Sequence, residues 1–270
     1  MPIIVNSQPQ LEKTNEYRLS IQADLNGFSF SVLNKTDNQL LFLYGPDFNP
    51  SKEDEYTLIR NTASLFESMP LLRQEFDSTT LLYNTHKFTC IPRQIHKKGD
   101  ELSALKRLFQ IEDLEEINTV TLEEQEMVLI YAANSTMLNK IKEYQPNISL
   151  YPSIYLYLRY LPLFKEHNKI FFQYIKDKVI ITIAEGNKIL LCNSYPAQHF
   201  NSALYFLLLA LKEVQFNPEH TTVYISGNIR DLEILDISKY FSSVKYFRNP
   251  ETPLPDINAE LRYSSLTFPL

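Results

Sequence analysis

Residues 170–192 read IFFQYIKDKVIITIAEGNKILLC. Three apolar runs, 170–175, 179–184 and 188–192, are parted by short polar turns around Lys176-Asp177 and Glu185-Gly186-Asn187. Short runs rich in Ile, Val, Phe and Tyr, joined by two or three turn residues, predict an antiparallel meander. Beyond Cys192 the period changes. Residues 201–214 are helical in pattern, 222–226 (TVYIS) is a strand, 229–239 a helix and 244–247 a last strand. A meander feeding alternating helices and strands implies right-handed crossovers and a mixed sheet covered by helices.

The same order is written in the first half. Tyr17–Asp24 (YRLSIQAD), Gly27–Asn34 (GFSFSVLN) and 39–44 (QLLFLY) are three strands. In the second of them Phe28, Phe30 and Val32 share one face, with Ser29 and Ser31 on the other. A helix begins near Ser51, which makes a capping-box pattern with Asp54. Its apolar stripe runs Leu58, Ile59, Thr62, Leu65, Phe66 and Met69, and Pro70 stops it. Strands at 79–83, 87–91 and 127–132 follow, with helices at 101–109 and after Asn134, the latter carrying Met137, Leu138 and Ile141. Strand-strand-strand-helix-strand-helix-strand thus appears twice, offset by about 150 residues. The expected units are 1–150 and 151–270, joined by a tyrosine-rich helix at 152–164.

Composition narrows the function classes. The chain is 44% hydrophobic and 21% charged, so a sizeable core needs no staples. A net charge of −6 disfavours nucleic acid as a partner, since that binding depends on neutralising phosphates. Five glycines in 270 residues leave little material for glycine-rich phosphate loops. Two widely spaced cysteines, Cys90 and Cys192, define no disulfide framework and suit a reducing, cytoplasmic setting. The N-terminus has no signal-peptide pattern, and the longest apolar run, 203–211, falls far short of the roughly 20 residues of a membrane span.

The duplicated element order is that of tandem ribonuclease-H-like domains with mixed five-stranded sheets, the α/β architecture of actin-like ATPases. The sequence resembles an uncharacterised bacterial family with a degenerate actin-like ATPase fold. It is also distantly similar to actin-like proteins of pilus assembly and type II secretion. The resemblance implies an interdomain cleft with two phosphate turns and one adenosine-side turn.

Those turns carry the candidate cofactor-binding residues. The first, expected as Asp-x-Gly-Thr/Ser, reads Asp24-Leu25-Asn26-Gly27-Phe28. Asp24 is in place, Gly27 comes one position late, and Phe28 stands where a hydroxyl residue would bond phosphate. The second, expected to be glycine-rich, reads Lys176-Asp177-Lys178, with Asp177 retained and two lysines as point charges. The third, Ser226-Gly227-Asn228 followed by Arg230, keeps glycine and arginine in the expected order. Each also reads as an ordinary turn or cap. With both phosphate turns altered, no catalytic residue is assigned. The expected function is that of a non-catalytic actin-like protein working through a protein partner. The alternative is a divergent enzyme that binds ATP and Mg in the cleft. A ribonuclease-H nuclease needs converging carboxylates, and only Asp24 and the loop residue Asp77 are near.

Three further features carry expectations. His86, Cys90 and His96 share a face of an extended stretch, but Pro92 and their spacing argue against a metal. The seven acids between Glu112 and Glu126 imply an exposed mobile loop or helix end, screened by Lys87, Arg93, Lys97 and Lys98. The unbroken apolar run 203–211 implies a helix covered on both sides.

Overall fold

The computed structural model describes residues 2–5, 8–24, 27–45 and 55–270. In the first half, β1 (Pro2–Val5), β2 (Tyr17–Asp24), β3 (Gly27–Asn34) and β4 (Leu40–Tyr44) precede α1 (Glu55–Ser68) and β5 (Ser78–Tyr83). An added module comes next: β6 (Phe88–Pro92), α2 (Glu101–Lys106), β7 (Glu115–Leu122) and β8 (Met127–Asn134). Then come α3 (Ser135–Lys142), β9 (Ile148–Pro152) and the connecting helix α4 (Ser153–Arg159). The second half holds β10 (Asn168–Ile175), β11 (Lys178–Glu185), β12 (Lys188–Pro196), α5 (Phe200–Glu213), β13 (Thr221–Gly227), α6 (Asp231–Ser238), β14 (Ser243–Tyr246) and α7 (Ile257–Tyr263).

The two large sheets share one plan. The second runs β12-β11-β10-β13-β14, antiparallel through the meander and parallel beyond it. The first runs β1-β4-β3-β2-β5-β9 with the same senses, plus β1 added antiparallel at the edge. Its closing strand is β9, not the expected 127–132. That segment lies in a separate antiparallel sheet, β6-β8-β7. The short run ISLYP merges in sequence with the tyrosine-rich segment behind it, which hid its strand signal.

The acidic segment is likewise ordered. Residues 115–122 form β7, because Ile117, Thr119, Val120 and Thr121 supply β-branched side chains. Ile117 packs on one small core and Val120 on the main one. Its acids do meet the basic stretch. Lys87 Nζ lies 2.7 Å from Glu115 Oε2, and Arg93 Nη1 lies 2.6 Å from Glu123 Oε2. Ser51 and Asp54, the expected start of α1, fall outside the described residues, whereas Asn134 caps α3 by accepting the Met137 N–H at 2.9 Å.

The main core joins both halves through α4. Every residue of α4 from Ser153 to Leu158 is buried. Tyr157 stacks on Phe247 at 4.1 Å between centroids, and its hydroxyl pairs with Ser226 Oγ at 2.9 Å. The polar face of the first sheet is buried too. Ser31 donates to the Leu266 carbonyl at 2.5 Å, and the Ser265 hydroxyl donates to Gln22. Residues 254–268 therefore return from the second half to cover the first sheet, with Leu254, Ala259, Tyr263 and Leu266 packed against Leu33, Leu40 and Leu43.

The helix at 203–211 departs from expectation. Phe200, Ala203, Leu207, Ala210 and Leu211 of α5 face the sheet, but Tyr205 is 61% and Leu209 37% exposed. One stripe meets the sheet, and the outer face stays open among the described residues. The doubly covered helix is α4. Leu207→Asp should accordingly cost more than about 4 kcal/mol, since it buries a charge. Leu209→Asp should cost about 1 kcal/mol or less. Urea unfolding of the two variants checks the contrast, and equal losses would place Leu209 in a covered interface.

Candidate functional site

The parallel strands β5 and β10, one from each half, end at a shared cleft, and the ends of such strands are where open α/β sheets bind ligands. On one side stands the β10–β11 hairpin. Ile175 pairs with Lys178, so Lys176 and Asp177 form the tip. Lys176 has φ 55°, a left-handed conformation that costs a non-glycine residue about 1–2 kcal/mol. The Asp177 carbonyl accepts the Ala197 N–H at 2.7 Å, and its carboxylate lies 3.8 Å from Lys178 Nζ.

Facing the hairpin is the segment after β5. The Asn84 N–H donates to the Ala23 carbonyl at 2.9 Å, which fixes this segment to the end of β2. Asn84, Thr85 and His86 then close a cavity of 230 Å³ against Lys176, Asp177 and Lys178. The same three residues border a second cavity of 600 Å³, floored by Ala23 and Tyr83 and rimmed by Lys87, Glu112, Asp113 and Glu115. Lys87 is already paired with Glu115, so Glu112 and Asp113 leave this rim acidic. Burial pushes His86 below its ordinary pKa, and the Lys178 and Lys87 ammonium groups push it the same way, beyond the opposing pull of Asp177 and Glu115. His86 is therefore neutral at pH 7.

The candidate residues separate. Asp177 sits on the cleft. Asp24 and Gly27 pair across the β2–β3 hairpin, but residues 25–26 and the Asp24 side chain lie outside the described residues. Phe28 does not stand in the cleft. Its ring turns into the core, edge-on to Phe66 at 5.3 Å. Gly227 ends β13 beside β10 with φ 97°, and a Cβ there would meet the Tyr174 carbonyl oxygen at 2.2 Å. The Asn228 N–H donates to that same oxygen at 2.7 Å, and Ser226 is held by Tyr157. The glycine is required by strand approach. His86, Cys90 and His96 do not converge: His96 pairs with Glu101 at 3.1 Å, and Cys90 lies beside Cys192. Among the described residues no group of three or more His, Cys, Asp or Glu is placed to hold a metal. No described helix is long and apolar enough to cross a membrane.

Sequence reasoning passed over Asn84 and Thr85 and weighed His86 only as a ligand. The available signal was position, since all three directly follow the parallel strand β5.

The family described as "Protein of unknown function (DUF3822)" matches residues 6–249. The chain belongs to that family. Its fold is similar to a Bacteroides thetaiotaomicron protein with actin-like ATPase fold and unknown function, at 20% identity and TM-score 0.80, covering 97% of this chain and 99% of that one. It is also similar to the ethanolamine utilization protein EutJ from Carboxydothermus hydrogenoformans, at 12% identity and TM-score 0.50, covering 98% and 93%. No curated protein matches the chain. These likenesses establish the actin-like ATPase fold, as the duplicated element order implied.

The site geometry sets two measurable outcomes. Gly227→Ala should lower stability by about 2–4 kcal/mol through backbone clash and strain, read by urea unfolding; an unchanged midpoint would remove the strand-approach explanation. The His86 ring should titrate below a free histidine in an NMR pH series, and Lys178→Met should move its midpoint upward. Because the folded pKa is lowered, protonating His86 costs stability as pH falls below the unfolded-state value.

Proposed function

We propose that this protein is a non-catalytic member of the actin-like fold that works by binding a protein partner in the cytoplasm, with no nucleic acid involved. The observation that carries the non-catalytic reading is the state of the Ser226-Gly227-Asn228 turn. Its hydroxyl is engaged by Tyr157 and its Asn228 N–H by Tyr174, so these two groups are committed inside the protein. Phosphoryl transfer rests on positioning and on charge stabilisation at the phosphates. The hairpin tip facing the cleft offers Lys176 and Asp177 side chains, and its cavity of 230 Å³ lies below the roughly 300 Å³ at which ligand pockets begin. The adjoining larger cavity has an acidic rim, which repels a polyphosphate. Support for a partner comes from apolar side chains left open on α5 and α6: Tyr205, Leu209, Leu232 and Leu235.

The second reading, a divergent ATP-binding enzyme with Asp24 and Asp177 in the cleft, draws on the 600 Å³ cavity and on Lys176 and Lys178. Calorimetry and thermal shift with Mg-ATP and Mg-ADP at millimolar concentration separate the two. The non-catalytic reading expects no heat and no shift. ATP turnover that Asp24→Ala abolishes would overturn it.

A further inference from the structure

Cys90 and Cys192 are remote in sequence but meet across the seam between the halves. Cys90 belongs to β6, an edge of the three-stranded sheet, and Cys192 to β12, an edge of the second large sheet. The two edges pack side by side. Ser194 on β12 reaches across and donates to the His86 carbonyl at 2.5 Å. Both cysteines are half-buried free thiols resting on the same core, and each is the leading influence on the other's titration. Thr182 on β11 places its hydroxyl 3.3 Å from Cys192 Sγ. The chain contains two cysteines, and the fold brings the strands that carry them together.

We propose that Cys90 and Cys192 form a thiol pair that a small hydroperoxide oxidises to a disulfide, tying the inserted sheet to the second large sheet beside the cleft. Cys192 is the attacking sulfur. The Thr182 hydroxyl, 3.3 Å from Cys192 Sγ, is placed to donate to its thiolate, and the pKa of this thiol is lowered despite its burial. With hydrogen peroxide, the Cys192 sulfur attacks one oxygen and the O–O bond breaks. The other oxygen leaves as hydroxide and takes up the thiol proton, giving water and a sulfenic acid. The Cys90 sulfur then displaces the sulfenic oxygen. An S–S bond forms, and the departing hydroxide takes the Cys90 proton as a second water. Two thiols are oxidised by two electrons, and one peroxide is reduced to two waters. The seam continues to His86, a wall of the 230 Å³ cavity, so the bond fixes that wall relative to the second sheet.

The test treats the full chain with near-stoichiometric hydrogen peroxide, followed by intact mass and non-reducing peptide mapping. The expected product is monomeric, lighter by two hydrogens, and yields one peptide pair bridging residues 90 and 192. Its melting temperature is raised, and dithiothreitol reverses both changes. Free thiols that persist, disulfides formed only between chains, or oxidation ending at separate sulfinic acids would overturn the pairing. In Cys90→Ser the reaction should stop at a sulfenic acid on Cys192 that dimedone traps, at least about tenfold faster than Cys90 is trapped in Cys192→Ser. The reverse ranking would overturn the assignment of the attacking sulfur.

Discussion

The structure depends on burying one short helix completely. From Ser153 to Leu158, α4 has no side facing water. Such a helix needs walls on all sides, and the chain provides them from both halves. Phe171, Tyr224 and Phe247 of the second half and Leu19, Ile21 and Leu81 of the first belong to the same core. Each buried side chain of this size contributes about 1.5–3 kcal/mol, so the two halves are coupled through shared apolar area. The Tyr157–Ser226 pair adds a directional constraint, because a hydroxyl buried here without a partner costs about 1–3 kcal/mol.

That arrangement explains the character of the cleft. A hinge between two lobes needs a thinly packed connection, and here the connection is a core element. The turn most like a nucleotide loop is joined to this element through Ser226, and its glycine answers the approach of β13 to β10. Partly exposed polar residues lie instead at Asn84 and His86 opposite Lys176–Lys178, where the electrostatics are mixed.

The second half was legible because each element has its own signal: a two-residue turn at Lys176–Asp177, strand runs of uniform length, and a clean change of period. The first half was harder. The inserted sheet supplied strands that resembled members of the main sheet, and β9 was hidden against the helix that follows it. Charge density drew attention away from the Ile117–Thr121 pattern of β7. Local periodicity reported that residues 203–211 are helical and apolar, yet it carries no information on which neighbours exist. The turn 24–28 shows a similar limit. The position of Phe28 in the motif set it where a hydroxyl would bond phosphate, while the alternation of β3 already assigned its ring to the core face.

The cover over the polar face of the first sheet has a consequence for biosynthesis. Ser31 and Gln22 find their partners in Leu266 and Ser265, contacts separated by 235 and 243 positions in the chain. Until that segment leaves the ribosome, a completed meander of β2, β3 and β4 presents hydroxyl and amide groups, together with Leu33, Leu40 and Leu43, to water on that side. Its uncovered face is therefore part hydrated and part apolar, and the three leucines are the part that awaits cover. The closing contacts form late, after the slow search that such distant pairings require.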